Sequence, residues 1–305
     1  MLKACLNGGR RRDEHPAVPL TPAELAADAV RCADAGVAAV HVHPRDDSGV
    51  ESLDPTVIAA ALTAVRAARP GLPVGVSTGA WIVPDPAERV AAVRAWTVLP
   101  DFASVNAHEP GAAEVAAALH ERGVMVEAGL WTEAAVDAWR RWSTPTGRVL
   151  VECMAEPVEA ALADATAILA ALANPAATPA RLADTTAVPA RLADMPATPA
   201  ALADPAATPA RLADMPAVPA RLADATAVPA GLADVPAIGV GLPDGCPPVL
   251  LHGEGPATWP VFAEAVRRGL HTRIGLEDTL LLPDGSTAAD NLALVTAARS
   301  LSQAA

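Results

Sequence analysis

Short β-branched apolar runs alternate with Ala-rich runs of helical period along most of this 305-residue chain. A short continuous apolar run suits a strand buried on both faces, whereas apolar positions three and four apart suit a helix with one buried face. On that pattern the strands fall at 2–6, 37–43, 73–77, 102–106, 123–127, 148–152, 248–252 and 272–276. The helices fall at 22–35, 55–69, 86–97, 110–122, 132–142, 158–173 and 258–269, with a last one near 287–302. Thr21-Pro22 with Glu24, Asp54-Pro55 and Asp85-Pro86 are helix starts, since proline suits a first helical turn. Gly36 and Gly123 stand where helices stop. Eight strand–helix units are the count of a (β/α)8 TIM barrel, an α/β fold. An open doubly wound sheet would also alternate, but no Gly-rich phosphate turn follows the first strand. The barrel is favoured.

Residues 181–240 break the alternation. Decads of the form Arg-Leu-Ala-Asp-x-x-Ala-x-Pro-Ala run from Arg181, Arg191, Ala201, Arg211 and Arg221, and a sixth from Gly231 decays after Pro236. Ala171 to Ala180 is a weaker copy and Ala161-Leu162-Ala163-Asp164 echoes its start, which reads as a unit copied from the tail of the sixth helix. Each decad offers one Leu, several Ala and one or two Pro. That is little apolar bulk for a solenoid turn, and proline withholds the amide that a strand ladder needs. The expectation is one domain over 1–305 carrying a mobile Pro/Ala-rich decapeptide-repeat insertion, 174–243, between the sixth helix and the seventh strand. A loosely packed helical flap is the alternative. A segment between a helix and the next strand leaves by the N-terminal face of the barrel, opposite the face that carries active sites.

A formal net charge of −13 argues against a nucleic-acid or anionic-membrane surface. Cys5, Cys32, Cys153 and Cys246 are widely spaced with no CxxC, which suits buried free thiols in a reduced, cytoplasmic setting. The N-terminal apolar run is too short for a signal peptide, and no run approaches the roughly 18 residues that span a bilayer. The expected chain is soluble.

Polar groups gather where the strands end. Side chains two apart on a strand share a face, so His41 and His43 point the same way, as two ligands of one metal ion would. A pair of hydrogen-bonded histidines at a strand end is the plainer reading of that motif alone. Strand one leads to Asn7, Arg10 and Glu14, strand three to Ser77-Thr78-Gly79, and strand four to Ser104 and Asn106. Strands five, six and seven offer Glu127, Glu152 and His252. By the period of two, Arg273, Gly275 and Glu277 share one face of strand eight. A carboxylate there would complete a His-His-Glu set around Zn²⁺ with one position open. Arg273 beside Asp278 would hold an anion or relay a proton, or would be a structural ion pair.

Together Leu6-Asn7-Gly8-Gly9-Arg10 with Glu14-His15-Pro16, His41-Val42-His43-Pro44-Arg45-Asp46, Ser77-Thr78-Gly79 and Arg273-Ile274-Gly275-Leu276-Glu277-Asp278 resemble the β-keto acid cleavage enzymes. The resemblance covers nearly all of the chain outside the repeats. It implies a zinc-dependent (β/α)8 acyltransferase that converts a β-keto acid and acetyl-CoA into acetoacetate and a new CoA thioester. It further implies His41, His43 and Glu277 as zinc ligands, Asp278 as base, and Arg273 as its partner and as a holder of the substrate carboxylate. Ser77, Thr78 and Gly79 would line the carboxylate pocket, Asn106 would lie near the keto group, and Glu14 would face the variable end of the substrate. Family members are commonly tetrameric, so the expected partners are the two small molecules and further copies of the chain. Two departures stand out: the long repeat, and the strand-five stretch Val126 to Trp131. The alternatives are a metal-dependent hydrolase barrel and a non-catalytic barrel whose repeat binds a partner. In the hydrolases, however, the histidine pair follows strand one and strands five and six end in further histidines.

Overall fold

The computed structural model describes residues 1–174, 242–243 and 245–304. The repeats thus lie outside the described residues, and with them the expected insertion apart from its margins. Among the described residues, eight parallel strands alternate with eight α-helices: β1 (Leu2–Cys5), α1 (Pro22–Asp34), β2 (Ala39–Val42), α2 (Pro55–Ala68), β3 (Val74–Ser77), α3 (Pro86–Ala95), β4 (Phe102–Asn106) and α4 (Ala112–Glu121). The second half continues with β5 (Met125–Leu130), α5 (Glu133–Arg140), β6 (Arg148–Cys153), α6 (Val158–Ala173), β7 (Val249–Gly253), α7 (Thr258–Arg267), β8 (Thr272–Ile274) and α8 (Asn291–Ala304). The strand order is β7-β6-β5-β4-β3-β2-β1-β8. A parallel bridge from Leu250 to His271, just before β8, brings the two ends together. The fold is the (β/α)8 TIM barrel expected from the alternation.

The start signals act as expected. Thr21 and Glu24 form a reciprocal capping box on α1, while Asp54 and Asp85 accept first-turn amides of α2 and α3. Boundaries shift where loop chemistry competes. Strand β5 begins at Met125 rather than 123, because the amide of Val124 still bonds the Leu119 carbonyl at the end of α4. Helix α8 begins at Asn291 rather than 287, and β8 stops at Ile274. No helix among the described residues is long and apolar enough to cross a membrane.

Glu127 departs from expectation in position. It is the third residue of β5, not its last, and its carboxylate faces the lower barrel interior instead of the strand ends. There it accepts from Lys3 Nζ at 2.7 Å and Arg148 Nη1 at 2.5 Å, with all three residues buried. Lys3 Nζ also lies 5.2 Å from the Phe102 ring centroid. Burial alone would raise the Glu127 carboxyl, but the two cations hold it below its ordinary 4.5. Glu127→Gln strands two buried cations, so an expected loss of about 3–5 kcal/mol at pH 7 follows, measurable by urea unfolding. The sign with pH is set by the lowered folded value: this stabilisation is full above about 4.5 and is lost as pH falls through the folded value. The gap between wild type and variant is therefore expected to narrow below pH 4.5.

Candidate active site

Strand period and loop chemistry together aim the polar groups at the C-terminal mouth of the barrel. A cleft of about 350 Å³ opens there, lined by residues that include Arg10, Glu14, His41, His43, Glu51, Ser77, Trp81, Asn106, Trp131, Glu152, Glu254, Arg273 and Glu277. His41 lies in β2 and His43 one residue beyond it. Their Nε2 atoms are 3.1 Å apart. The His43 backbone is clamped by Asn7, whose Nδ2 donates to the His43 carbonyl at 2.8 Å and whose Oδ1 accepts the His43 amide at 2.9 Å. Asn7 thus holds a strand end and does not face the cleft.

Glu277 reaches the histidines from a turn, not from the pleat of β8. The amides of Asp278 and Thr279 both bond the Gly275 carbonyl, which closes that turn directly after the strand. The turn can sit this close to β1 only because two residues lack side chains. A Cβ on Gly275 would lie 1.8 Å from the Cys5 carbonyl oxygen, and one on Gly8 (φ +52°) 2.4 Å from Glu277 Cγ. Asn291, which sequence reasoning passed over, pins the turn by accepting the Leu276 amide at 2.7 Å while donating to the Leu6 carbonyl.

The result is that one ligand atom each from His41, His43 and Glu277 lie within 4.8 Å of one another. Glu277 Oε2 is 3.6 Å from His43 Nε2, is buried, and has no hydrogen-bond partner among the described residues. The donor set fits a divalent cation: two neutral imidazoles and a carboxylate are a known zinc set, and ligands at about 2.0–2.1 Å on tetrahedral vertices stand roughly 3.3 Å apart. Burial pushes His41 well below its ordinary value, so it offers a lone pair at neutral pH. Burial opposes ionisation of Glu277 too, but Arg273, His43 and His41 together hold it low.

Beside this triad, Arg273 Nε and Nη2 donate to Asp278 Oδ1 at 2.9 and 2.8 Å, and Nη2 also reaches Glu277 Oε1 at 2.9 Å. Asp278 Oδ2 is buried without a partner among the described residues. Burial raises the Asp278 carboxyl, with Glu277 and Glu254 adding to it and Arg273 opposing. His252 stands 3.6 Å from Asp278 Oδ1 and 3.3 Å from Glu152 Oε2. Its pKa is pushed down to about 4 by burial and then by Arg273.

The remaining expected site residues are spread around the rim. Ser77 faces the cleft, while Thr78 turns its hydroxyl onto the Ser104 carbonyl at 2.7 Å. Gly79 packs under the indole of Trp81, where a Cβ would lie 2.3 Å from the ring. Asn106 faces the cleft and donates to Glu109 at 2.9 Å. Glu14 sits half exposed on the rim, bonded by Arg10 at 3.1 Å and the Arg11 amide at 2.8 Å. Glu51 and Glu254 also line the cleft and had no sequence signal, since each lies on a loop without periodicity. The Glu254 carbonyl accepts the Ala257 amide at 3.2 Å, whereas its carboxylate has no hydrogen bond or ion pair among the described residues.

Fold and site define a (β/α)8-barrel protein with a His-His-Glu constellation that could hold a metal ion, beside an Arg–Asp pair at the strand C-termini. The chain belongs to the beta-keto acid cleavage enzyme family, whose model matches residues 1–203 and 215–305. Among solved structures it is similar to the apo structure of ObcA, at 16% identity and a TM-score of 0.53, over 93% of this chain and 61% of that one. It is equally similar to the binary complex of ObcA with oxaloacetate, at 16% identity and TM-score 0.54, over 93% and 63%. A ternary complex of ObcA with a C4-CoA adduct and oxalate matches at 15% identity and TM-score 0.54, again over 93% and 63%. At such identities the likeness shows the fold. The chain spans 61–63% of the length of those structures.

Proposed function

We propose that this protein is a zinc-dependent acyltransferase that cleaves a β-keto acid, with acetyl-CoA as co-substrate, to give acetoacetate and a new acyl-CoA. The observation that carries the reading is the meeting of His41, His43 and Glu277 beside the Arg273–Asp278 pair, in a chain of this family. The ObcA complexes lend support, because oxaloacetate is itself a β-keto acid and the other complex holds a CoA adduct.

His41, His43 and Glu277 would hold Zn²⁺, which when bound supplies Lewis-acid polarisation of the keto carbonyl. Asp278, with its unbonded Oδ2, takes the proton from the carbon between the two carbonyl groups. Arg273 holds Oδ1 of that carboxylate and so aims Oδ2, while its charge suits the substrate carboxylate. The resulting carbanion attacks the thioester carbonyl of acetyl-CoA and releases the CoA thiolate. That thiolate adds to the original keto carbon, the carbon–carbon bond breaks, and the acetoacetate carbanion recovers its proton from Asp278. Ser77, Thr78 and Gly79 are assigned to the carboxylate pocket, Asn106 to the keto group and Glu14 to the variable end. The reading keeps the chain a cytoplasmic homo-oligomer. A hydrolase barrel is less favoured, since β5 and β6 end in Leu130 and Cys153, not in histidines.

The test is a panel of β-keto acids with acetyl-CoA and zinc-loaded protein, following new acyl-CoA by mass spectrometry. At least one acid is expected to give its CoA thioester together with an equimolar amount of acetoacetate. A panel that yields neither product from any acid sinks the reading.

A further inference from the structure

We propose that Glu51 is the positioning residue of the metal centre, fixing the His43 ring so that Nε2 faces His41 and Glu277. The inference rests on the ligand assignment made above. A neutral imidazole has one donating and one accepting nitrogen, and whichever nitrogen donates leaves the other as the ligand. Glu51 Oε2 stands 2.6 Å from His43 Nδ1, so in the neutral ring the proton sits on Nδ1 and the lone pair on Nε2.

The carboxylate is delivered by a locked loop. Arg45 and Glu51 form an antiparallel bridge that folds the segment back on itself. Arg45 donates to the carbonyls of Gly49, Gly8 and Arg10 at 3.0, 2.7 and 2.8 Å. Asp46, inside the loop, accepts the amides of Ser48 and Val50. Glu51 itself is nearly buried, its side chain 12% exposed.

The same oxygen also receives the indole N–H of Trp81 at 3.2 Å. Trp81 is half exposed, yet its ring lies 15° from the plane of His43 at 6.4 Å. His43 is therefore held by Asn7 at its backbone and by Glu51 at its ring, with Trp81 alongside. His41 is different: its Nδ1 is buried without a partner among the described residues. One histidine is pre-aimed by its surroundings, and Glu51 is the group that aims it.

Partners of this kind typically govern metal affinity by about 10–100-fold. The experiment measures zinc affinity of the metal-free, full-length protein by competition with a chromophoric chelator. Glu51→Ala is expected to weaken binding about 10–100-fold, while the melting temperature of the metal-free protein stays near wild type. Glu51→Gln, whose amide oxygen can still accept the Nδ1 proton, is expected to recover most of that loss. Should the Ala variant misfold, Glu51→Asp carries the test, because its carboxylate is one methylene short of Nδ1. Wild-type affinity in Glu51→Ala, or in Glu51→Asp, overturns the inference and leaves the ligand set standing. Failure of the wild type to bind zinc overturns both.

Discussion

His41→Ala and Glu277→Ala are each expected to lose bound zinc and turnover together. Each removes one of three donors whose atoms lie within 4.8 Å of one another, and the remaining two are a poor site for a divalent ion. The drop should exceed the roughly 10–100-fold that a partner of a ligand costs, because a donor itself is gone. Elemental analysis should show near-stoichiometric zinc in the wild type and little in either variant. Acyl-CoA formation should fall in parallel, by at least about a thousandfold if the Lewis acid is essential. Circular dichroism guards against a trivial cause, since His41 is 2% exposed and its removal leaves a small void. Stoichiometric zinc retained in both variants would remove these residues from the ligand set.

Asp278→Asn is expected to separate metal from chemistry. The amide keeps the shape of the side chain and an oxygen for Arg273, whose Nε and Nη2 both donate to Oδ1. What it loses is a site for the proton at Oδ2. Zinc content should therefore stay near wild type while turnover falls by about 10²–10⁴, the usual worth of a positioned acid–base group. A second readout isolates the step: exchange of the substrate's α-proton with solvent deuterium, followed by NMR without CoA, should slow as much as turnover does. Unchanged exchange would show that another group takes the proton.

The legible part of this protein was local. Alternation of apolar runs and capping residues placed each strand and helix to within a few residues, because neighbours in sequence make the contacts that define them. His41 and His43 were readable as a pair for the same reason: two residues apart is a property of one strand. The long repeat was equally plain, although its residues lie outside those described.

Glu277 was found by its motif but for a reason that failed. Face-sharing on β8 was expected, whereas the strand ends at Ile274 and a turn against β1 delivers the carboxylate. Glu127 was misplaced because a two-residue shift in where β5 begins moves a side chain from the mouth of the barrel into its interior. Glu51, Asn291 and Glu254 carried no periodic signal at all, since each lies at a loop or a helix end. Their meaning appears only when His43, Leu276 or the cleft wall comes beside them.

By itself, then, the sequence determined the order and kind of the elements, the histidine pair, and the family to which its motifs point. The tertiary structure alone decided how Glu277 meets that pair, which carboxylate stands against the His43 ring, and that Glu127 is spent on Lys3 and Arg148. The division follows from separation along the chain. Element type is set by residues three or four apart, but Asn291 closes the site on Leu6, 285 positions away. Contacts over that distance exist only once the barrel has closed.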